Sequence, residues 1–353
     1  QHSLAEIEEA FFHQFAQHIE RAQIESLIER LDEARFLESD RFHAYYQSLV
    51  DAYRAAPARI CHTQGAAVDG ESLNETIGRM LRQCSVAVAG RSERRLRGLV
   101  APHLDYPRGT PCYADAYGLL ATVPPAERYV ILGTNHFGRA SSVVATSKDF
   151  ESPLGRTRTD RAFLAELDRR LNADLCRHEF DHQQEHSVEL QVLILQHLLG
   201  ADRFEIVPFL CPDPCGPTGT RPYDGEGVDL HDFATVLGEM IRADGRSTVV
   251  IAGADLSHVG RRFGDDRELD AEFLSEVERL DRQSLACVTS SGNGAFVEDV
   301  RARGNRTRIC SVGCIYALMT ALEGTQPELL RYHQAVDVED GTCVTCSAMV
   351  FWE

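Results

Sequence analysis

Three polar segments follow short apolar runs in this chain. They are Leu99-Val-Ala-Pro-His103, Ile131-Leu-Gly-Thr-Asn-His136 and Ile251-Ala-Gly-Ala-Asp255-Leu-Ser-His258. Imidazole is the commonest side-chain metal ligand and the usual proton carrier near neutral pH. In an open α/β sheet, ligands sit beyond the carboxyl ends of the strands. Three strand ends would therefore deliver metal-competent groups to one edge. A single histidine so placed is ordinarily structural; three in the same relative place point to a site.

Two further segments can reach that edge. Glu185-His186-Ser-Val-Glu189 opens an expected helix, with His186 and Glu189 three apart and so on one face. Glu185 and Ser187 also read as plain N-terminal capping residues. His182 precedes the expected helix and is a weaker candidate. In Arg308-Ile-Cys310-Ser-Val-Gly-Cys314, Cys310 sits at an expected helix start, where positive partial charge favours a thiolate. Cys314, one turn later among apolar residues, reads as core. His258 has the ordinary imidazole chemistry of a general acid or base, and Asp255 could orient a histidine.

The chain has 353 residues and 11 cysteines. An odd cysteine count in a long chain with no visible leader argues against a secreted disulfide framework, so cytoplasmic thiols are the expectation. Cys343-Val-Thr-Cys346 has redox-motif spacing but lies in a strand-like run, where residues three apart face opposite ways. Together with Cys211-Pro-Asp-Pro-Cys215 it leaves a four-cysteine zinc site open as an alternative. Phosphate-loop, dinucleotide, nucleophile-elbow and His-Glu-x-x-His motifs are absent. The net charge of −18 argues against nucleic acid, and no apolar run is long enough to span a membrane.

The elements that must position these residues change character along the chain. Residues 1–57 read as a small helical unit, with Ser3-Leu-Ala-Glu6 as a capping box, and either winged-helix-like or a plain helical lid. Residues 58–353 begin with a helix over about 72–83. From Arg97 onward, short β-branched runs at 98–101, 129–132, 205–210 and 248–252 alternate with helices at about 160–172, 186–199, 229–243, 266–289 and 312–323. That alternation predicts an α/β sandwich with a mostly parallel sheet, closed by a last strand over 343–352.

"APHLDY", "ILGTNHFG", "EHSVELQ", "IVPFL", "AGADLSHVGRRF" and "RICSVGCIYALMTAL", in this order, resemble the Memo family, and in particular its bacterial branch in the AmmeMemoRadiSam system. The opening "CHTQGAAVDGESLNETIGRML" matches as well, with His62 and Gly65 at motif positions, and residues 1–57 resemble an extension common in bacterial members. The resemblance implies the αβα sandwich of class III extradiol dioxygenases. It implies a mononuclear metal site with His103, His136 and Cys310 as ligands, and His186, Asp255 and His258 as surrounding pocket residues with catalytic potential. Iron(II) is the implied metal, with copper or zinc as alternatives, since a thiolate favours soft or borderline ions. The function expected is redox or metal-handling; the alternatives are oxygen-dependent extradiol cleavage and a non-catalytic module with a vestigial pocket. A cysteine hydrolase using Cys310 and His258 is a further class, unsupported by any orienting motif. A radical-SAM protein and an AMMECR-type protein are the implied partners. Phe137, where members often have a second histidine, and Ser311-Val312, where Gly-Arg is usual, depart from the pattern.

Overall fold

The computed structural model describes residues 2–62, 70–86, 94–290 and 293–353. It divides into two units, Gln1–Ala56 and Pro57–Glu353. The first contains helices α1 (Leu4–Phe15), α2 (Arg21–Glu33) and α3 (Asp40–Ala55). Ser3 caps α1 in the expected box: its Oγ accepts the Glu6 N–H, and the Glu6 carboxylate accepts the Ser3 N–H at 2.6 Å. Among its described residues this unit has no strand, so it lacks the wing of a winged-helix unit.

The second unit runs β1 (Ala58–Ile60), α4 (Gly70–Leu81), β2 (Leu96–Ala101), α5 (Tyr106–Leu120), β3 (Arg128–Thr134), β4 (Val144–Ala145), β5 (Asp149–Ser152), β6 (Gly155–Thr159) and α6 (Arg161–Leu171). It continues with α7 (Glu189–Leu199), β7 (Glu205–Cys211), α8 (Leu230–Ala243), β8 (Thr248–Gly253), β9 (Asp255–Gly260), α9 (Ala271–Ser290) and α10 (Asn293–Ala302). The last elements are α11 (Val312–Ala321), β10 (Gln326–Asp337) and β11 (Thr342–Trp352).

The strands join in the order β1-β5-β6-β7-β3-β8-β2-β11-β10. From β6 to β2 every pairing is parallel, and β11 and β10 add an antiparallel edge. Strand β3 shows why two helical layers are needed. Its Tyr129 and Ile131 pack with α4, α5 and α7 on one face, and Val130 and Leu132 with α6, α8, α10 and α11 on the other. Alternate side chains leave opposite faces, so a strand apolar at consecutive positions must be covered twice. The fold is an αβα sandwich with a mostly parallel core, as the alternating pattern predicts.

The differences from expectation have local causes. Helix α5 carries Pro107, Gly109, Pro111 and Gly118, which read as breakers. Asp105 caps it by accepting the Arg108 N–H, and Pro107 lies in the first turn, where no N–H is needed. Beyond β8 the chain turns at Ala254 and runs on as β9, which pairs with one end of β11 while β2 pairs with the other. Asp255 and His258 therefore sit within a second strand, not at a free strand end.

Candidate metal centre

Strands β3, β8 and β2 are neighbours, so their carboxyl ends open side by side. His103 and His136 each stand two residues past such an end. The segment before α7 crosses above them. It can do so because β3 and β8 carry glycines there: a Cβ on Gly133 would collide with Ser187 Oγ, and one on Gly253 with the Ser187 carbonyl oxygen. Gln191, in α7, donates to the Pro102 carbonyl at 2.8 Å and so fixes the residue before His103.

His103, His136 and Cys310 converge, with one donor atom from each lying within 4.8 Å of the other two. His103 Nδ1 is 2.9 Å from the Gly253 carbonyl, which can only accept. Nδ1 therefore carries the proton, and Nε2 presents its lone pair to Cys310 Sγ, 3.5 Å away. His136 is fixed in the same sense by Glu185, a fully buried residue. The carboxylate accepts the His136 backbone N–H at 2.9 Å, and both its oxygens lie 3.1 Å from Nδ1. Nε2 of His136 is thus left free as well. A carboxylate behind an imidazole is a recurrent support of metal-binding histidines.

Cys310 precedes α11. It is set by Asn305, whose side chain accepts the Ile309 N–H at 2.8 Å and donates to the Ile309 carbonyl at 3.0 Å. Asn305 and Arg308 both have left-handed backbones, at φ 45° and 58°. Ser311, fully buried, lies with its Oγ 3.2 Å from Cys310 Sγ and 3.1 Å from Thr134 Oγ1, and it accepts the Asp255 N–H at 3.1 Å. One hydroxyl therefore ties Cys310 to β3 and β9.

The electrostatics follow from burial. His103 and His186 are pushed down to about 4, each first by desolvation. Asp255 is pushed up to about 6 by its burial. Burial also drives the Cys310 thiol well above its ordinary value, with Asp255 adding to the shift. Desolvation of the sulfur thus opposes the helix end that favours a thiolate. Glu185 goes the other way. Burial alone would raise it, but its bonds to His136 and Ser187 hold it well below the usual carboxylate range.

The remaining candidates sit around this group. His186 stacks on His136, with centroids 5.0 Å apart at 20°, and stands edge-on to His103 at 5.5 Å. Its Nδ1 is buried without a hydrogen bond, 3.4 Å from Glu185 Oε1 in poor alignment. Helix α7 begins only at Glu189, so His186 lies in the preceding turn, where Glu185 Oε1 takes the Ser187 N–H at 2.8 Å. Glu189 does not share a face with His186; it is buried against Arg59. Asp255 accepts the His103 backbone N–H at 3.0 Å, and its other oxygen lies 3.5 Å from His103 Nε2. His258 falls outside the converging group. Its Nδ1 is held by the carbonyls of Leu256 and Arg308 at 3.0 and 3.1 Å. His182 is buried, its Nε2 bonded to the Val144 carbonyl.

Cys314 is core, as its apolar flanks predict. Cys211, Cys215, Cys343 and Cys346 are free thiols and, among the described residues, form no group that could hold a metal. Gly65 lies outside the described residues. Arg59, Glu185 as an anchor, Asn305 and Ser311 were not legible as site residues. Glu185 carried the one available signal, its place beside His186.

Residues 67–350 match the family model described as Memo-like protein. The chain belongs to the Memo family. A MEMO1 family protein of Methanosarcina acetivorans is 28% identical over 267 residues, covering 75% of this chain and 88% of the relative. A MEMO1 family protein of Thermus thermophilus is 25% identical over 351 residues, covering 99% of this chain and 98% of the relative. The Thermus alignment thus takes in the N-terminal helical unit. A crystal structure of an uncharacterized protein from Escherichia coli K12 superposes with a TM-score of 0.42 at 15% identity, over 72% of this chain and 100% of that one. Within the matched Memo segment lie His103, His136, Cys310 and all four supporting contacts from Glu185, Asn305, Ser311 and Gly253.

Proposed function

We propose that this Memo protein binds one transition-metal ion through His103 Nε2, His136 Nε2 and Cys310 Sγ, and that it serves a redox or metal-handling function. The observation that carries the reading is the convergence of one donor atom each from His103, His136 and Cys310 within 4.8 Å, with both imidazoles tied through Nδ1 to a fixed acceptor. The donor set suits iron(II), with copper and zinc as alternatives.

A bound metal with three protein ligands would keep an open position for a small molecule. The chain's own residues would do the rest. Glu185 holds the proton on His136 Nδ1, and the Gly253 carbonyl holds the one on His103 Nδ1. Asp255, with one oxygen 3.5 Å from His103 Nε2, is placed to accept or return a proton beside the ligand edge. His186 Nδ1 is buried without a hydrogen bond and offers a further ring nitrogen there. Sulfur in place of a carboxylate weighs against ordinary extradiol ring cleavage, because the thiolate is itself oxidisable. The AmmeMemoRadiSam link, with radical-SAM and AMMECR-type partners, belongs to the same proposal and rests on the motif resemblance.

Metal analysis of anaerobically purified protein tests the reading. Close to one metal per chain is expected, lost in a His103→Ala, His136→Ala double variant. Undiminished metal in that variant would eliminate the ligand set. Capture of both candidate partners by the full chain tests the system assignment.

A further inference from the structure

The turn that carries Glu185 is held from behind by a buried arginine. Arg59 lies in β1; its side chain is 1% exposed and faces Glu189 at 0%. Its Nη1 donates to Glu189 Oε2 at 2.8 Å, its Nε to the His182 carbonyl at 2.6 Å, and its Nη2 to the Glu185 carbonyl at 2.5 Å. Glu189 Oε2 also accepts the His62 backbone N–H at 2.8 Å. A buried ion pair is weak evidence of stabilisation, since well-packed apolar residues often replace such a pair without loss. The two carbonyl bonds are what an ion pair alone does not require. They grip both ends of the turn from His182 to Glu185. Only a planar guanidinium fork presents donors at fixed angles to three acceptors; an ammonium does not.

On the far side of the same turn, the Glu185 carboxylate takes the His136 N–H and Nδ1. Asp181, just before it, accepts the Arg139 and Ala140 N–H groups, also from the His136 loop. The turn therefore acts as a bracket, with Arg59 at its back and His136 at its front. We infer that Arg59 is a positioning residue of the metal centre: by gripping the His182 and Glu185 carbonyls it fixes the Glu185 carboxylate on His136 Nδ1, and so the direction in which His136 Nε2 points. This rests on the metal reading above.

The test is a Co(II) titration of the metal-free full chain, followed by thiolate-to-metal and ligand-field absorption, with thermal melting in parallel. Arg59→Met combined with Glu189→Gln removes both charges and leaves no ion buried alone. Arg59→Lys keeps the charge and loses the fork. Glu189→Gln alone keeps the grip on the carbonyls. The wild-type chain is expected to bind Co(II) with thiolate absorption. The combined variant and Arg59→Lys should bind about tenfold more weakly, the low end for loss of a supporting contact, with altered absorption and a retained folding transition. Glu189→Gln alone should keep both affinity and spectrum. A folded combined variant, or a folded Arg59→Lys variant, with wild-type affinity and spectrum overturns the inference. So does an equal loss in Glu189→Gln alone, which would place the effect in the ion pair. Absence of thiolate absorption in the wild-type chain would refute the metal reading itself, and this inference with it.

Discussion

Glu185→Gln isolates the support of one proposed ligand without touching the ligand. The carboxylate accepts the His136 backbone N–H at Oε2, the Ser187 N–H at Oε1, and the Nδ1–H of His136 between its two oxygens. It is fully buried, so water cannot replace a lost acceptor. Glutamine has one oxygen to offer. Turned toward the His136 backbone, it sets its NH2 against the Ser187 N–H; turned toward Ser187, it sets the NH2 against His136. Either way a buried donor loses its acceptor, at a cost of about 1–3 kcal/mol. The neutral amide also cannot raise the basicity of the imidazole as a carboxylate does. Loss of such a partner weakens metal binding by about 10–100-fold, or ~1.4–2.8 kcal/mol. Competition with a chromophoric chelator for zinc reads the affinity, and urea denaturation reads the stability. The expected result is a loss in both, with stoichiometry kept at one metal per chain at saturation. Unchanged affinity in a folded variant would refute the argument that Glu185 aims His136 at the metal.

Three further outcomes are expected. His182 is buried and pushed down to about 3, chiefly by desolvation, whereas the unfolded value is about 6.5. The unfolded chain therefore binds a proton that the folded chain refuses, so the contribution is complete above about pH 6.5 and is lost as pH falls toward about 3, by ~5 kcal/mol in all. Urea midpoints measured from neutral pH downward should fall less steeply in a folded His182→Phe variant; equal slopes would sink this assignment. Asn305→Ala should destabilise by about 1–3 kcal/mol and weaken metal binding, since it removes both bonds to Ile309 from a left-handed position. Asn305→Gly relieves the backbone alone, so a Gly variant with full metal affinity would show that the side-chain grip is dispensable. Cys310→Ser should abolish thiolate-to-Co(II) absorption, and Cys310→Asp should shift preference toward harder ions such as manganese(II) and magnesium; persistence of the sulfur band in either would place the thiolate elsewhere.

The parts of the fold that were legible are those governed by local pattern. β2, β3, β7 and β8 are β-branched runs bounded by turns, and the position of His103 and His136 just past two of them follows from strand length alone. Cys314 was separable from Cys310 because its flanks are apolar and it lies wholly inside α11. Helix α5 was not legible, because packing overrides the poor propensity of Pro107, Gly109 and Pro111 once Asp105 caps its start. Strand β10 was missed because Glu328, Arg331, His333 and Gln334 interrupt its apolar pattern; it lies at the sheet edge, half exposed along most of its length. The role of Glu185 was read as capping, and spacing cannot reveal that its carboxylate is buried against a residue 49 positions away. Arg59 gave no signal at all, since its partners lie 123 to 130 positions along the chain.

Burial of charge does not by itself mark the site. Arg128 is as buried as Arg59 and contacts Asp160, Asp244 and Thr248 at the opposite, amino end of the parallel strands. There the guanidinium N–H groups meet acceptors, and the cluster reads as a support of the sheet. At the carboxyl end the accounting is different. Nδ1 of His103 and Nδ1 of His136 are both satisfied by fixed acceptors, yet a donor atom of each ring lies within 4.8 Å of Cys310 Sγ. Strain accepted beside that group serves its geometry: left-handed backbone at Asn305 and Arg308 sets the turn into Cys310, and glycines in β3 and β8, where a Cβ would collide, let the segment of His186 cross above the strand ends.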